Sequence, residues 1–210
     1  KAVTAAMASF RGVRRRQQLL FGHRDIRVFD DYGHHPREIE ATLSALRGLR
    51  TERVLAAFQP HRYTRTQHLL KDFATCFAGA DQVWVTDVYS AGEQEIPEVN
   101  GARLASAVAE QGTLAAFAPT LSRLREQVCM AAQSGDVIVF FGAGDITQVA
   151  QQVAIDLAVN SEPAAGALSA LLSPDSLVKA DEPMANRTTL RVGGPADLFV
   201  EPASEADLAK

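Results

Sequence analysis

The sequence contains little cysteine, little lysine and no long apolar segment. Its two cysteines, Cys76 and Cys129, exclude a disulfide framework and a cysteine-based zinc site in a chain of 210 residues. No apolar run reaches the ~20 residues that a bilayer span requires. The segment Lys1–Phe10 lacks the apolar core of a signal peptide. We therefore expect a cytoplasmic protein, or a piece of one, with no membrane partner.

Lysine makes up only 4 of the 21 basic residues, and no lysine follows a glycine. A phosphate-binding P-loop ends in Gly-Lys-Ser or Gly-Lys-Thr, so this chain has none. If the protein uses ATP, the loop that holds the triphosphate lies outside this chain. The net charge of -4 gives no electrostatic basis for a nucleic-acid partner. The run Arg11–Arg16 indicates either solvated charge or a single arginine that reaches a nucleotide phosphate.

Short apolar runs alternate with longer segments of helical periodicity between Arg24 and Leu157. The pattern predicts strands over residues 25–30, 53–58, 82–88, 114–117 and 137–141. It predicts helices over residues 36–49, 66–77, 101–110, 119–132 and 145–157. Strict alternation of strand and helix favours parallel pairing with both sheet faces covered. The fold class is therefore predicted as α/β, a Rossmann-like, mostly parallel sheet with helices on both faces.

The composition changes near Val159. Five of the nine prolines follow Asn160, and no aromatic residue occurs between Phe141 and Phe199. We predict a first domain over residues 1–158, a linker over 159–182 with a short helix at 164–172, and the unfinished start of a second domain over 183–210. Strand-like patterning resumes over 188–202, around a Gly-Gly-Pro turn.

The densest group of polar residues, DDYGHHP at Asp30–Pro36, follows a predicted strand and begins a predicted helix. Ligands of open α/β sheets bind at the carboxyl ends of the strands, so the position suits a site. A carboxylate there can accept hydrogen bonds from ribose hydroxyls, and Gly33 allows a sharp turn. The histidine pair is not a convincing metal site, because adjacent side chains diverge and no third ligand follows. A plain polar turn with an aspartate cap is the alternative.

Two further groups also follow predicted strands. In QPHRYTRT at Gln59–Thr66, Arg62 and Arg65 stand three residues apart at the start of a helix. Their guanidinium groups can hold a carboxylate or a phosphate, although a solvated helix start would have the same pattern. The turn formed by Gly142, Gly144 and Asp145 has the strand–glycine–helix setting of a dinucleotide loop but lacks its third glycine. It is consistent with close helix–strand packing alone.

DDYGHHP, FQPHRYTRT, VTDVYSAGE and FFGAGDI occur in that order at spacings that resemble the C-terminal domain of the UDP-N-acetylmuramate–L-alanine ligases. This group belongs to the ATP-dependent Mur ligases of peptidoglycan synthesis. The resemblance covers about Ala2–Ala158. It implies an enzyme that forms an acyl phosphate on UDP-N-acetylmuramate with ATP and Mg²⁺, releases ADP, and joins L-alanine. It also implies that the N-terminal and central ligase domains are partners of this one and lie outside the chain, so that the chain alone is inactive.

The resemblance carries over to individual positions. It implies that Asp31 holds the ATP ribose, that Tyr32 lies near the nucleotide, and that Arg16 reaches the phosphates. The L-alanine carboxylate would be bound by His34, Arg62 and Arg65, with His34 as a catalytic-site residue that orients the amine. The Gly142–Asp145 loop would border the amino acid. No residue of the chain is implied as a metal ligand.

The tail TTLRVGGPADLFVEPAS resembles the start of UDP-N-acetylenolpyruvoylglucosamine reductase, a flavoenzyme. It implies a fusion of ligase and reductase, with the FAD and NADPH sites of the reductase outside this chain. Two alternatives remain open. One is a recycling ligase that adds a murein peptide to the same muramate, and the other is a non-catalytic Rossmann-like binding module.

Overall fold

The computed structural model describes residues 13–23, 26–49, 51–161, 164–183, 187 and 195–209. The chain divides into two compact units, Lys1–Ile155 and Asp156–Lys210. Within the described residues, no helix combines the length and apolarity needed to cross a membrane.

The first unit is built on a six-stranded sheet with the order β1-β2-β6-β3-β4-β5. Its strands are β1 (Gln18–His23), β2 (Ile26–Asp31), β3 (Arg53–Phe58), β4 (Gln82–Thr86), β5 (Leu114–Ala118) and β6 (Asp136–Phe141). All neighbouring strands pair in parallel except β1, which pairs antiparallel with β2 at the sheet edge. The last strand of the unit, β6, thus lies between β2 and β3, the first two parallel strands.

The helices connect successive strands and lie on both faces of the sheet. They are α1 (Pro36–Arg47), α2 (Tyr63–His68), α3 (Leu70–Thr75), α4 (Gly101–Glu110), α5 (Leu121–Ala131) and α6 (Ile146–Ser161). Side chains of α1, α3 and α4 share one core cluster with alternate residues of the central strands, among them Val137, Val139 and Phe141 of β6. The intervening residues Ile138 and Phe140 are equally buried and face the other side, because side chains alternate along a strand. These observations confirm the predicted fold class.

Strand β2 leads into α1 on one face of the sheet, whereas Thr147 of α6 bonds to Asp30 on the other face. The chain therefore leaves the adjacent strands β2 and β6 in opposite directions. Ligand-binding crevices of open α/β sheets form at such switch points, outside the carboxyl ends of the strands. The fold places DDYGHHP and the Gly142–Asp145 loop side by side at this position.

Two predictions for the first unit need correction. The periodicity did not reveal β1, whose antiparallel pairing with β2 is compatible with the mostly parallel sheet that was predicted. The helix predicted over 66–77 begins earlier, at Tyr63, and is interrupted at Leu69, where φ is -105° and ψ is 15°.

Cys76 follows the second of these two helices and is buried. Burial raises the pKa of its thiol to about 12, as suits a small core residue.

The second unit contains α7 (Ala164–Leu171), β7 (Leu177–Pro183), β8 (Pro195–Glu201) and α8 (Glu205–Leu208), with β7 and β8 paired antiparallel. The segment predicted as a linker contains the expected short helix α7 and, in addition, the strand β7, which was not predicted. Residues 188–194 of the tail motif lie outside the described residues. Asp207 is buried and accepts hydrogen bonds from the Ser173 amide and hydroxyl at 3.0 and 2.7 Å. The domain limits themselves stay a prediction.

Candidate active site

Four chain segments meet at the carboxyl edge of the sheet. DDYGHHP follows β2, the Gly142–Asp145 loop follows β6, Gln59–Arg65 follows β3, and Tyr89 lies in the segment after β4. The β3 and β4 segments continue to pair beyond the strands, since the Arg62 amide donates to the Tyr89 carbonyl at 2.8 Å. The sequence motifs thus form one surface.

Aromatic and imidazole rings make a continuous chain across this surface. The Tyr32 and His34 rings meet edge to face with centroids 5.3 Å apart. The His34 and His61 centroids are 5.7 Å apart, and His61 lies nearly parallel to Tyr89 at 5.5 Å and 17°. Tyr32 and Tyr89 are 37% and 39% exposed, so both ends of the ring chain are open to a ligand.

Arg15 and Gly144 connect the two ends of this row of rings, Tyr32 and Tyr89. A Cβ on Gly144 would lie 2.8 Å from Cγ of Tyr89, which shows how closely the glycine backbone approaches that ring. The Arg15 guanidinium donates to the Gly142 carbonyl at 2.6 Å and to the Gly144 carbonyl at 3.5 Å. Its Cζ lies 5.0 Å from the Tyr32 centroid. We call this closed set of side chains the belt: Arg15, Tyr32, His34, His61 and Tyr89.

Asp31 organises the backbone around the belt. Its carboxylate accepts hydrogen bonds from the Gly33 amide at 2.7 Å and the Gln17 amide at 2.9 Å, and from the Thr42 hydroxyl at 3.4 Å. Asp31 is only 3% exposed. In this conformation the carboxylate therefore holds two loops in place, and its ribose-binding role stays a prediction.

The Gly142–Asp145 loop requires its glycines for different reasons. Gly142 has φ 153°, a conformation that side chains disfavour, and a Cβ there would lie 2.9 Å from Ile146. A Cβ on Gly144 would lie 2.4 Å from the Gln59 side-chain oxygen. That oxygen accepts from the Ile146 amide, while the Gln59 Nε2 donates to Asp145 at 2.6 Å. Gln59 thus ties the end of β3 to the loop after β6.

Arg62 and Arg65 stand at the start of α2, as predicted. Arg62 has φ 73° and ψ 133°, an unusual conformation for a residue other than glycine. Arg65 is half-buried, with Nη1 3.5 Å from the His61 carbonyl oxygen. Glu93 accepts from the Thr64 amide at 3.1 Å and the Thr64 hydroxyl at 2.7 Å, which fixes the first turn. The hydrogen bond from the Thr64 hydroxyl is the main cause that lowers the pKa of Glu93.

Arg16 is half-exposed and pairs with Glu38, with Nη1 3.3 Å from Oε1. Its Cζ lies 5.7 Å from the Tyr32 centroid, so it borders the belt from outside. Glu38 also accepts from the His34 and His35 amides at 3.1 and 3.2 Å. Partial burial favours a higher pKa for Glu38, but the hydrogen bonds that it accepts outweigh burial and lower the pKa.

The two adjacent histidines differ in tautomer. His34 Nδ1 lies 3.0 Å from the Tyr32 carbonyl, which only accepts, so Nδ1 carries the proton. A neutral His34 therefore has its lone pair on Nε2. His35 Nδ1 accepts from the Arg37 amide at 3.3 Å and caps α1. Of the two histidines, only His34 belongs to the belt. No group of three or more His, Cys, Asp or Glu side chains among the described residues is arranged to hold a metal.

Sequence reasoning did not single out four residues that build this surface: Arg15, Gln59, His61 and Tyr89. Each lies inside a segment that was noted, but its partners are distant in the chain. Burial is the main cause that lowers the pKa of His61, and the positive charges of the nearby Arg65 and Arg62 lower it further. The belt therefore contains a neutral imidazole at pH 7.

The family model described as Mur ligase, glutamate ligase domain, matches residues 15–144. A UDP-N-acetylmuramate–L-alanine ligase of Acidithiobacillus ferrooxidans is 48% identical over 151 residues, which make up 71% of this chain and 32% of that protein. The chain spans about a third of the length of the curated relatives that it matches.

Solved structures give the same result. The crystal structure of a UDP-N-acetylmuramate–alanine ligase from Thermotoga maritima matches with a TM-score of 0.63 and 29% identity, over 76% of this chain and 33% of that one. A domain of a UDP-N-acetylmuramate:L-alanyl-γ-D-glutamyl-meso-diaminopimelate ligase from Haemophilus ducreyi matches with a TM-score of 0.50 and 25% identity. That match covers 68% of this chain and 99% of the solved domain.

Proposed function

The chain belongs to the Mur ligase family, and on that premise we propose that it supplies the amino-acid-binding domain of an ATP-dependent UDP-N-acetylmuramate–L-alanine ligase of peptidoglycan synthesis. The observation that carries the proposal is the belt, which joins four separate motifs into one surface at the carboxyl edge of the sheet. The identity of 48% to an L-alanine ligase over 151 residues supports this acceptor.

The reaction needs a surface that binds an amino acid and presents its amine. In the proposed site, the guanidinium groups of Arg62 and Arg65 hold the L-alanine carboxylate, since such groups bind carboxylates with paired hydrogen bonds. A neutral His34 keeps a lone pair on Nε2 and accepts a proton from the alanine ammonium group. The free amine then attacks the acyl carbon of the muramoyl phosphate, the amide bond forms as the acyl C–O bond to phosphate breaks, and the departing phosphate takes the second proton of the amine.

The nucleotide contacts are part of the same proposal. Arg16 is half-exposed beside Tyr32, so it can reach a phosphate without breaking a buried contact. Tyr32 offers an exposed ring to the nucleotide, and Asp31 is proposed for the ribose. Mg²⁺ accompanies the ATP. The described residues form no cage for a metal, and we assign no step of this chain to it.

The open form of the site agrees with a partner domain that completes it. A cavity of about 160 Å³ near Arg103 and a groove of about 500 Å³ beside Arg37 both lie outside the belt. The belt rings are instead exposed at the surface. We propose that N-terminal and central ligase domains, encoded upstream of Lys1, cover this surface and supply the P-loop and UDP-N-acetylmuramate.

We also propose that residues 183–210 begin a fused UDP-N-acetylenolpyruvoylglucosamine reductase, which would bring FAD and NADPH to the protein. The support is the sequence of the tail and the separate second unit with its β7–β8 pair. Purified protein from the full reading frame should carry the absorption spectrum of a bound flavin. A reading frame that stops soon after Lys210 overturns the fusion.

The ligase proposal is tested on the protein that the full reading frame encodes. With ATP, Mg²⁺, UDP-N-acetylmuramate and L-alanine, we expect ADP and UDP-N-acetylmuramoyl-L-alanine, and no ADP when either acceptor substrate is omitted. Turnover with the tripeptide L-alanyl-γ-D-glutamyl-meso-diaminopimelate but not L-alanine would identify a recycling ligase instead. A reading frame without a Gly-x-x-x-x-Gly-Lys-Ser/Thr segment would indicate a non-catalytic module.

A further inference from the structure

We propose that Arg15 is a positioning residue of the candidate active site, whose guanidinium fixes the Tyr32 ring and the Gly142–Gly144 loop relative to each other. The inference rests on the proposed ligase function and adds a residue that none of the motifs assigns. Arg15 differs in this from Arg16, which points to solvent and pairs with Glu38.

The contacts of Arg15 span 129 residues of sequence. Its Nη2 atom donates to the Gly142 carbonyl at 2.6 Å and to the Gly144 carbonyl at 3.5 Å. Nε lies 3.4 Å from the Asp30 carboxylate, and Cζ lies 5.0 Å from the Tyr32 centroid. A planar guanidinium can contact carbonyls, a carboxylate and an aromatic face together, whereas a lysine ammonium is a point charge.

The backbone of Arg15 is held equally firmly. Arg15 has φ 56° and Gln17 has φ 45°, so two residues other than glycine adopt the left-handed conformation within this turn. The Tyr32 amide donates to the Arg15 carbonyl at 2.6 Å, and the Gln17 amide donates to Asp31 at 2.9 Å. Site residues thus stabilise the turn that presents Arg15.

Asp30 gives the means to separate positioning from simple charge balance. Its side chain is 2% exposed, Oδ2 accepts from the Thr147 hydroxyl at 2.7 Å, and Oδ1 has no hydrogen-bond partner. Removal of Arg15 alone would leave this buried carboxylate without its countercharge, which is costly. Changing Asp30 to Asn at the same time removes that cost but does not restore the contacts to the glycine loop and Tyr32.

The experiment uses the full-length protein with the variants Arg15→Met, Arg15→Lys, Arg15→Met/Asp30→Asn and the matched control Arg14→Met, which removes an exposed arginine next to it. For Arg15→Met we expect a KM for L-alanine raised about tenfold, the scale of one lost hydrogen bond from a charged group, with the KM for UDP-N-acetylmuramate unchanged. The KM of Arg15→Lys for L-alanine should lie between those of the wild type and Arg15→Met, and the KM of Arg14→Met should match that of the wild type.

The double variant shows whether Arg15 acts through its contacts with the glycine loop and Tyr32 or through the charge of Asp30. We expect it to regain thermal stability relative to Arg15→Met while the KM for L-alanine stays raised. If the double variant also restores the KM, Arg15 acts through the charge of Asp30 and the inference is wrong. It is equally wrong if Arg15→Met lowers kcat alone, as a smaller folded fraction would. If Arg15→Met does not fold, Arg15→Lys and the double variant carry the test.

Hydrogen exchange in the full-length protein tests the contacts without turnover. The amides of the Gly142–Asp145 loop should exchange faster in Arg15→Met and in the double variant than in Arg14→Met. If the wild-type protein forms no L-alanine product but this exchange difference is present, the ligase proposal fails and the structural role of Arg15 stands. Unchanged exchange in an active enzyme overturns the role of Arg15 alone.

Discussion

The imidazole of His61 stacks on the phenol ring of Tyr89, with ring centroids 5.5 Å apart and planes inclined by 17°. The backbone enforces the contact, because the Tyr89 amide donates to the Pro60 carbonyl and the Arg62 amide donates to the Tyr89 carbonyl, each at 2.8 Å. The pairing of β3 with β4 therefore extends past the strand ends. It carries a half-buried histidine into the centre of the belt.

We predict that His61 makes folding less favourable at acidic pH. Burial lowers its pKa in the folded chain below the ordinary 6.5. Below pH 6.5 the unfolded chain gains a proton that the folded chain resists, so the free energy of unfolding falls until the folded-state pKa is passed. Between pH 7.5 and 5.5, urea unfolding should show a smaller loss of stability for His61→Gln than for the wild type.

His68→Gln is the control for this prediction, because His68 is exposed on α2 in the same segment. Its pH dependence should follow that of the wild type. A His61→Gln curve parallel to the wild-type curve over the same pH range would show that His61 does not titrate differently in the two states.

The residues themselves explain how much of the fold was predictable. Strands such as VIVFF combine β-branched and aromatic residues with burial on both faces, so their type follows from composition. Strand β1 carries an irregular register between Leu19 and Phe21 and pairs antiparallel along the edge of β2. Strand β7 lies in a segment whose alanine, serine and proline content, without aromatic residues, favoured a linker. In both cases pairing with a neighbour decides the structure, and local periodicity does not contain that information.

The candidate site was predictable as motifs but not as an arrangement. His34, Arg62 and the Gly142–Asp145 loop follow strands, which is a local property of the sequence. The contacts of Arg15 with Gly142 depend on β6 being inserted between β2 and β3, which only the tertiary fold determines. The run of arginines also gave no indication that Arg15 turns inward while Arg16 faces solvent.

We predict that the Arg53–Asp136 pair stabilises the first unit. Asp136 is fully buried and accepts hydrogen bonds from Arg53 at 2.6 and 2.9 Å, and the Arg53 pKa is raised chiefly by that hydrogen bonding. Arg53→Met leaves a buried carboxylate without its cation, so urea unfolding should show a loss of about 3 kcal/mol. Removing one side of the exposed pair Arg123–Glu126 with Arg123→Met should cost less than about 0.5 kcal/mol. Equal losses of unfolding free energy in Arg53→Met and Arg123→Met would contradict a stabilising role for the Arg53–Asp136 pair.

We predict that Gly144→Ala disturbs the belt through steric contact. The added Cβ would lie 2.4 Å from the Gln59 side-chain oxygen and 2.8 Å from the Tyr89 ring, so the loop or both neighbours must move. Urea unfolding should show a loss of about 2 kcal/mol, a typical cost of overpacking. The control is Gly22→Ala, whose Cβ meets nothing nearer than 3.6 Å. A Gly144→Ala chain as stable as Gly22→Ala would indicate that the loop yields without cost.

The last prediction concerns the acceptor carboxylate. If Arg62 and Arg65 both hold it, Arg62→Ala and Arg65→Ala in the full-length ligase should each raise the KM for L-alanine at least about tenfold, with the KM for UDP-N-acetylmuramate unchanged. Arg65→Ala should have the greater effect on stability, because Arg65 is half-buried with Nη1 3.5 Å from the His61 carbonyl oxygen, whereas Arg62 is exposed. Arg37→Ala removes an exposed arginine of α1 and serves as the control. Wild-type KM values for L-alanine in both Arg62→Ala and Arg65→Ala would show that the carboxylate is not bound here, and the His34 and His61 rings would then be the remaining candidates to contact the amino acid.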